Sequence, residues 1–167
     1  SLFGNALMKT LLITTMILLI VLGGSMFAGV FFASGGMLAI QTLLNDLGIP
    51  AWGVIALILL LTFVAGFVLD LISVVLIVIP IAMPLVLNLG FDPIWFCIAF
   101  LVVLQTSYLT PPMAPSIFYL RAVAPPEITL RHMYSGVIPF IILQIITLVV
   151  VLVFPELATW LPDVLLG

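Results

Sequence analysis

The chain has 167 residues, of which 66% are hydrophobic and 5% are charged, and its formal net charge is −3. A soluble domain carries about 25% charged residues, so three basic and six acidic side chains are too few to solvate the surface of a globule this size. The composition excludes a cytosolic enzyme, a nucleic-acid-binding protein and a disordered chain, and it predicts an integral membrane protein. The single cysteine excludes an intrachain disulfide framework and a multi-cysteine metal site.

The charged residues divide the chain into apolar stretches that can each hold a membrane crossing. A helix needs about 20 apolar residues to cross a bilayer, and the first charge-free stretch covers 10–45. It predicts a transmembrane helix over 7–34, in which Gly24 and Ala28 share one face and permit close helix contact. Residues 36–49 predict a surface helix or a loop. Because the chain begins without an initiator methionine or a signal peptide, we expect it to be part of a longer polypeptide.

The next apolar region, 51–89, has Asp70 near its middle and two prolines in its second half. It can form two full spans joined by a tight turn, or a re-entrant hairpin whose tip lies inside the membrane; hydropathy alone favours two spans. Asp70 is then either a solvated turn residue or a buried carboxylate that needs a cation, a proton or a missing part of the protein as its partner. Sodium fits such a site, since hard cations take oxygen ligands.

A helix over 94–123 is predicted to break at 110–112, the segment Thr110-Pro111-Pro112. Two successive prolines remove two backbone donors and disfavour helical geometry in the preceding residue. Such a break exposes carbonyl groups that can coordinate a cation, as in the broken helices of secondary transporters. The simpler alternative is a proline kink whose hydroxyl groups bond to their own backbone. The polar side chains before the prolines are Gln105, Thr106, Ser107, Tyr108 and Thr110.

The last part of the chain predicts a surface helix over 125–135 and a final transmembrane helix over 137–154. Lys9, Arg121 and Arg131 fall on one side of the resulting topology, which the positive-inside rule makes cytoplasmic, so the C-terminus is expected in the periplasm. An aromatic belt is predicted at the outer boundary. Its members are Trp52, Trp95 and Trp160.

Six short motifs follow one another across nearly the whole chain. They are Gly66-Phe67-Val68-Leu69-Asp70, Pro80 with Pro84, Gly90-Phe91-Asp92-Pro93-Ile94-Trp95-Phe96, Thr110-Pro111-Pro112, Pro139-Phe140 and Trp160-Leu161-Pro162. In this order they resemble the C-terminal part of the large membrane subunit of a TRAP (tripartite ATP-independent periplasmic) transporter, in the ion-transporter superfamily. The chain departs from the family pattern beside the break. Met113-Ala114 stands where Val-Gly is common, and Val103 and Ser107 stand where the pattern has Asn and Gly.

The resemblance implies an all-α integral membrane fold with two inverted repeats, of which this chain holds most of the second. Residues 51–89 would be a re-entrant helical hairpin and 94–123 a broken transmembrane helix. The implied activity is Na⁺-coupled uptake of an organic acid by an elevator-type movement in the bacterial inner membrane. The implied partners are a periplasmic substrate-binding protein, a small four-helix membrane subunit and the remaining N-terminal part of the large subunit.

The resemblance also implies a Na⁺ site between the hairpin tip and the helix break, and leaves the substrate-binding residues unassigned. No other cofactor, transition metal or nucleic acid is expected, and this polypeptide alone is not expected to transport. The residues implied for the ion site are Gly66, Asp70, Thr106, Thr110, Pro111, Pro112 and Met113, with Ser73 as hydrogen-bonding support at the tip.

Two other functions remain open from the residues. One is a related carboxylate symporter that needs no binding protein, and the other is a membrane scaffold or assembly subunit with no site of its own. An enzyme is not predicted, because the sequence lacks a P-loop, an HExxH or GxSxG motif and His/Cys metal spacing.

Overall fold

The computed structural model describes residues 2–111, 114–125 and 127–166, and every regular element within these ranges is an α-helix. The predicted all-α class is therefore confirmed. Three helices, Phe3–Ala33, Leu71–Asn88 and Leu130–Val153, are long and apolar enough to cross a membrane. The helices are α1 (Leu2–Ala33), α2 (Gly36–Asp46), α3 (Ala51–Ala65), α4 (Leu71–Asn88), α5 (Pro93–Leu109), α6 (Pro115–Val123), α7 (Leu130–Val153) and α8 (Glu156–Leu166).

One compact unit comprises Ser1–Ile49 and Asp70–Leu85, and so holds α1, α2 and most of α4. Gly24 of α1 lies directly against α4, since a β-carbon at this position would be 2.8 Å from Leu76 Cβ. Ala28, one turn later, is buried. The glycine thus permits the close helix contact predicted from the sequence.

The second compact unit comprises Pro50–Leu69 and Val86–Gly167, and α5 lies at its centre, in contact with α3, α6, α7 and α8. The helix begins cleanly because Asp92 caps it, with its carboxylate accepting from Trp95 N at 2.8 Å and Pro93 in the first turn. The buried side chains of α5 and α3 form most of the core. They include Val54, Ile55, Ile58, Trp95, Phe96, Phe100 and Leu104.

Of the three tryptophans predicted at the outer boundary, Trp95 is 1% exposed while Trp52 and Trp160 are exposed. Its indole Nε1 donates to the carbonyl of Val151 on α7 at 2.8 Å. In a continuing helix this carbonyl would accept from the amide four residues later, but that residue is Pro155, which has no N–H. The indole replaces the missing donor, so the buried carbonyl is not left unpaired, which would cost about 1–3 kcal/mol.

The segments predicted as a surface helix (125–135) and a final span (137–154) join in the structure, where α7 runs unbroken from Leu130 to Val153. Its start is fixed by a capping box: Thr129 Oγ1 accepts from His132 N, and His132 Nδ1 accepts from Thr129 N. Pro139 lies inside the helix without ending it. The following α8, which contains Pro162, was not predicted.

Candidate ion-binding site

The α5–α6 connection forms the predicted helix break. Helix α5 ends at Leu109, and Thr110 is extended (φ −87°, ψ 132°), the geometry that a following proline imposes on the residue before it. Helix α6 then begins at Pro115. Pro112 and Met113, two of the predicted ion-site residues, lie outside the described residues, so the structure places Thr110 and Pro111 on one side of the break and Ala114 on the other.

Ala114 is in the left-handed region (φ 41°, ψ 65°), where it is the one described non-glycine residue with positive φ. This conformation costs a non-glycine residue about 1–2 kcal/mol. The methyl group is fully buried in a cluster with Ile117 and Met133, and that burial offsets part of the cost. The departure from the Val-Gly pattern noted above therefore falls where the backbone itself favours glycine.

The hydroxyl groups in the last turns of α5 bond back to their own helix. Thr106 Oγ1 donates to Val102 O and Thr110 Oγ1 donates to Thr106 O, both at 2.7 Å. Thr106 is nearly fully buried and Thr110 is partly buried. This is the bonding expected for a simple proline kink. Both hydroxyl oxygens can still bind a cation, because a hydroxyl that donates its proton keeps its lone pairs.

Gly66, at the end of α3, lies directly against the same part of α5. A β-carbon there would overlap Ser107 Oγ, lie 2.9 Å from Ser107 Cβ and lie 3.2 Å from Leu104 Cδ1. A second link follows three residues later, where the hydroxyl of Tyr108 donates to Leu69 O at 3.4 Å. The structure therefore brings Gly66 to the turn of α5 that carries Thr106.

Ser107 is a residue that the sequence analysis did not assign to the site. It is fully buried, and its Oγ donates to Leu104 O at 2.6 Å while its side chain contacts Gly66. A small buried residue such as serine next to a glycine of another helix lets the two helix backbones approach closely. The spacing of motifs along one chain gave no signal of it, because the contact joins residues 41 positions apart in sequence (107 − 66).

Asp70 belongs to the other compact unit, where it caps α4. Its carboxylate accepts from Ser73 N at 3.1 Å and from the Ser73 hydroxyl. Both groups are at the exposed start of the helix. This bonding explains locally why the helix begins at Leu71, since a carboxylate satisfies an amide that has no partner within the helix.

The apolar helices make the chain a multi-pass integral membrane protein of the all-α class. The model of one family, described as "Tripartite ATP-independent periplasmic transporter, DctM component", matches residues 2–157. The chain belongs to this family. The family description names a transporter component and not an enzyme, as predicted, and the resemblance to the family is confirmed.

Curated relatives carry the same family name. The C4-dicarboxylate TRAP transporter large permease protein DctM of Pseudomonas aeruginosa is 26% identical over 153 residues, which are 90% of this chain and 35% of the relative. The sialic acid TRAP transporter large permease protein SiaM of Vibrio cholerae is 30% identical over 65% of this chain and 25% of the relative. The 2,3-diketo-L-gulonate TRAP transporter large permease protein YiaN of Escherichia coli is 33% identical over 56% of this chain and 22% of the relative.

The chain thus spans about a third or less of the length of these relatives. No solved structure matches the chain.

Proposed function

We propose that the chain is the C-terminal portion of the large permease subunit of a Na⁺-coupled secondary transporter that takes up an organic acid. The proposal rests on the family match across residues 2–157. The names of the relatives specify C4-dicarboxylates, sialic acid and 2,3-diketo-L-gulonate, which are all organic acids. A carboxylate substrate carries a negative charge, so co-transport with a cation would lower the electrostatic cost of crossing the bilayer.

The proposed architecture follows the family resemblance. The chain would form most of the second inverted repeat, with 51–89 as a re-entrant hairpin and 94–123 as the broken helix, and the repeat would take part in an elevator-type movement. A periplasmic binding protein would deliver the substrate, and a small four-helix membrane subunit and the N-terminal part of the large subunit would complete the transporter. The complex would lie in the bacterial inner membrane with the C-terminus in the periplasm.

The proposed Na⁺ ligands in the second unit come from the end of α3 and from the break after α5. Gly66 and Pro111 would supply backbone oxygens, and Thr106 and Thr110 would supply hydroxyl oxygens. Two observations support this choice: Thr110 Oγ1 donates to Thr106 O at 2.7 Å, which puts both threonines at the same end of α5, and Gly66 contacts the neighbouring Ser107. The other residues predicted for the break, Pro112 and Met113, are part of the same proposal.

Asp70 and Ser73 are proposed as further contributors to ion binding. Capping and ion binding by Asp70 can be separated by mutation. Asp70→Asn removes the charge and keeps a side chain that caps helices well, whereas Ser73→Ala keeps the charge and removes the hydroxyl that bonds it. An ionic role predicts a larger loss of Na⁺ affinity in Asp70→Asn than in Ser73→Ala.

The decisive experiment is uptake into proteoliposomes by the complete transporter with its partners, measured over a range of Na⁺ concentrations with a panel of organic acids. In Thr110→Ala we expect the Na⁺ concentration for half-maximal uptake to rise about tenfold, as loss of about 1.4 kcal/mol in ion affinity would give. Thr110→Ser, which keeps a hydroxyl, should stay close to wild type.

Thr147→Ala is the matched control, because Thr147 makes the same kind of bond to its own helix, to Leu143 O at 2.9 Å, on the exposed side of α7. It should leave the Na⁺ dependence unchanged. Equal effects of Thr110→Ala and Thr147→Ala would refute the proposed ion ligand. Uptake that needs no Na⁺, or no binding protein, would refute the proposed transport mechanism.

A further inference from the structure

The surface of α8 divides into three parts. An apolar face is exposed, and its residues follow the spacing i, i+3, i+4, i+7, i+8: they are Leu157, Trp160, Leu161, Val164 and Leu165. On the side toward the protein, Ala158 is buried and the helix contacts α5. The acidic side chains Glu156 and Asp163, seven residues apart, share a third, narrower and exposed face.

This pattern is typical of a helix that lies in the plane of a membrane interface, with one side on lipid and one side toward water. Its place in the chain supports that orientation. Helix α7, long and apolar enough to cross a membrane, ends at Val153, two residues before Pro155, which has no N–H to bond the carbonyl of Val151. A helix that follows at once, at Glu156, therefore starts at the depth of the lipid headgroups.

An open surface cavity of about 300 Å³, lined by exposed residues, lies where the apolar and acidic faces of α8 meet. Four residues line it: Phe154, Glu156, Leu157 and Trp160. Glu156 and Trp160 are one helical turn apart, so their β-carbons are about 5–6 Å from each other. The cavity thus combines one carboxylate with the rings of two aromatic residues.

This combination selects a cation. A carboxylate attracts an ammonium group directly, and an aromatic face attracts one through its quadrupole when the cation lies within about 6 Å. The negative end of the α7 dipole at Phe154 and the positive end of the α8 dipole at Glu156 lie side by side there, so the attraction for a cation comes from the carboxylate and the rings. The charges of 133–167 are acidic only, Glu156 and Asp163, so an anionic headgroup would meet repulsion.

We propose that this cavity binds the ammonium headgroup of phosphatidylethanolamine, with the acyl chains of the lipid along the exposed apolar face of α8. A primary ammonium has three N–H donors for the Glu156 carboxylate. A choline headgroup has none, so it would keep the charge attraction and the aromatic contact but would lose the hydrogen bonds. The order of preference is therefore ethanolamine lipid, then choline lipid, then phosphatidylglycerol. The site is independent of Na⁺ and substrate, so it can be tested apart from the proposed transport function.

The test is native mass spectrometry of the full chain, released from detergent micelles that contain equal amounts of dioleoyl phosphatidylethanolamine, phosphatidylcholine and phosphatidylglycerol. Wild type should retain the ethanolamine lipid preferentially. Glu156→Gln should lower its retention relative to phosphatidylglycerol about three- to fivefold, the size expected for losing an exposed cation contact. Trp160→Leu should lower it similarly, while Trp160→Phe keeps a ring and should keep part of the preference.

Two matched variants control for general effects. Asp163→Asn removes an equal charge from the same helix away from the cavity, and Trp52→Leu removes another exposed tryptophan; both should retain the lipid as wild type does. An equal loss in Glu156→Gln and Asp163→Asn would overturn the proposal, as would equal retention of all three lipids by wild type. Displacement of the bound lipid by millimolar free ethanolamine would also overturn it, because a lipid held by its chains as well should resist that competitor.

Discussion

Replacing Gly66 with alanine tests the contact between α3 and α5 that brings Gly66 to the candidate ion site. The backbone at Gly66 is right-handed (φ −65°, ψ −12°), so alanine fits its conformation without strain. The added methyl group, however, would overlap Ser107 Oγ and lie 2.9 Å from Ser107 Cβ. The perturbation is thus purely steric.

We expect destabilisation because the atoms around Gly66 have little room to move. Ser107 is fully buried and its β-carbon is fixed to the backbone of α5, so the two helices must separate or the helix end must shift. Overpacking of this kind costs about 1–3 kcal/mol. Ser107→Gly removes both clashing atoms and opens the space, at a cost of about 0.5–1 kcal/mol for glycine near a helix end.

The assay is a double-mutant cycle on the unfolding free energy, followed by circular dichroism during titration with denaturing detergent. Gly66→Ala should lose about 1–3 kcal/mol, and the double mutant should recover at least half of that loss through a coupling energy between the two positions. Gly23→Ala is the control, since Gly23 is in α1 and a β-carbon there meets no atom within 4 Å. It should be neutral or slightly stabilising because alanine is the better helix former.

Additive effects of Gly66→Ala and Ser107→Gly would refute the predicted contact. A neutral Gly66→Ala would do the same. If the contact exists but has no role in ion binding, the stability cycle will show coupling while the Na⁺ dependence of the folded Gly66→Ala transporter stays at the wild-type value.

Substitutions at Trp95, Ala114 and Asp92 also have predictable effects on the unfolding free energy. Trp95→Phe leaves the Val151 carbonyl without its indole donor and should cost about 1–3 kcal/mol. Pro155→Ala should reduce this penalty, because it restores an amide N–H that can bond the same carbonyl. An equal penalty for Trp95→Phe with Pro155 and in the Pro155→Ala background would contradict the idea that the indole replaces the missing amide. Ala114→Gly should change the unfolding free energy by less than about 1 kcal/mol, because relief of the left-handed strain offsets the lost burial of the methyl group. Ala114→Val should lower it by more than about 2 kcal/mol. Similar losses in the two variants would argue against the φ of 41° at this position. Asp92→Ala should cost about 0.5–2 kcal/mol by removing the α5 cap, and Asp92→Asn should cost little; equal losses would show that the carboxylate charge, not the cap, matters there.

Local chemistry made much of the architecture predictable. Composition identified a helical membrane protein, and the double proline identified a place where a helix ends. Thr110 before Pro111 ends α5 because the ring excludes helical geometry in the preceding residue. The junction of the surface helix predicted over 125–135 and the span predicted over 137–154 is different in the structure, because the capping box at Thr129 starts one continuous helix at Leu130.

Contacts between distant residues were the part that could not be predicted. The ion-site prediction included Gly66 and Thr106 but not Ser107, whose importance arises from α3 meeting α5 at one particular height. Similarly, Trp95 looks like a boundary tryptophan by its place beside Asp92 and Pro93, and only the pairing with Val151 shows why it is buried. Periodicity describes which face of a helix is apolar, and it carries no information on which helix covers that face.

The bond between Trp95 and Val151 has a consequence for biosynthesis. Helix α5 precedes α7 in the chain, so its indole donor is made before the carbonyl that needs it. Until the two helices meet, the Val151 carbonyl has to be satisfied by water at the membrane surface, since hydrocarbon offers no donor. Settling of the last long helix to its final depth is therefore tied to its docking on α5. A variant that lacks the indole should insert α7 more slowly or leave its end displaced toward water, a defect of membrane integration that precedes any defect of activity.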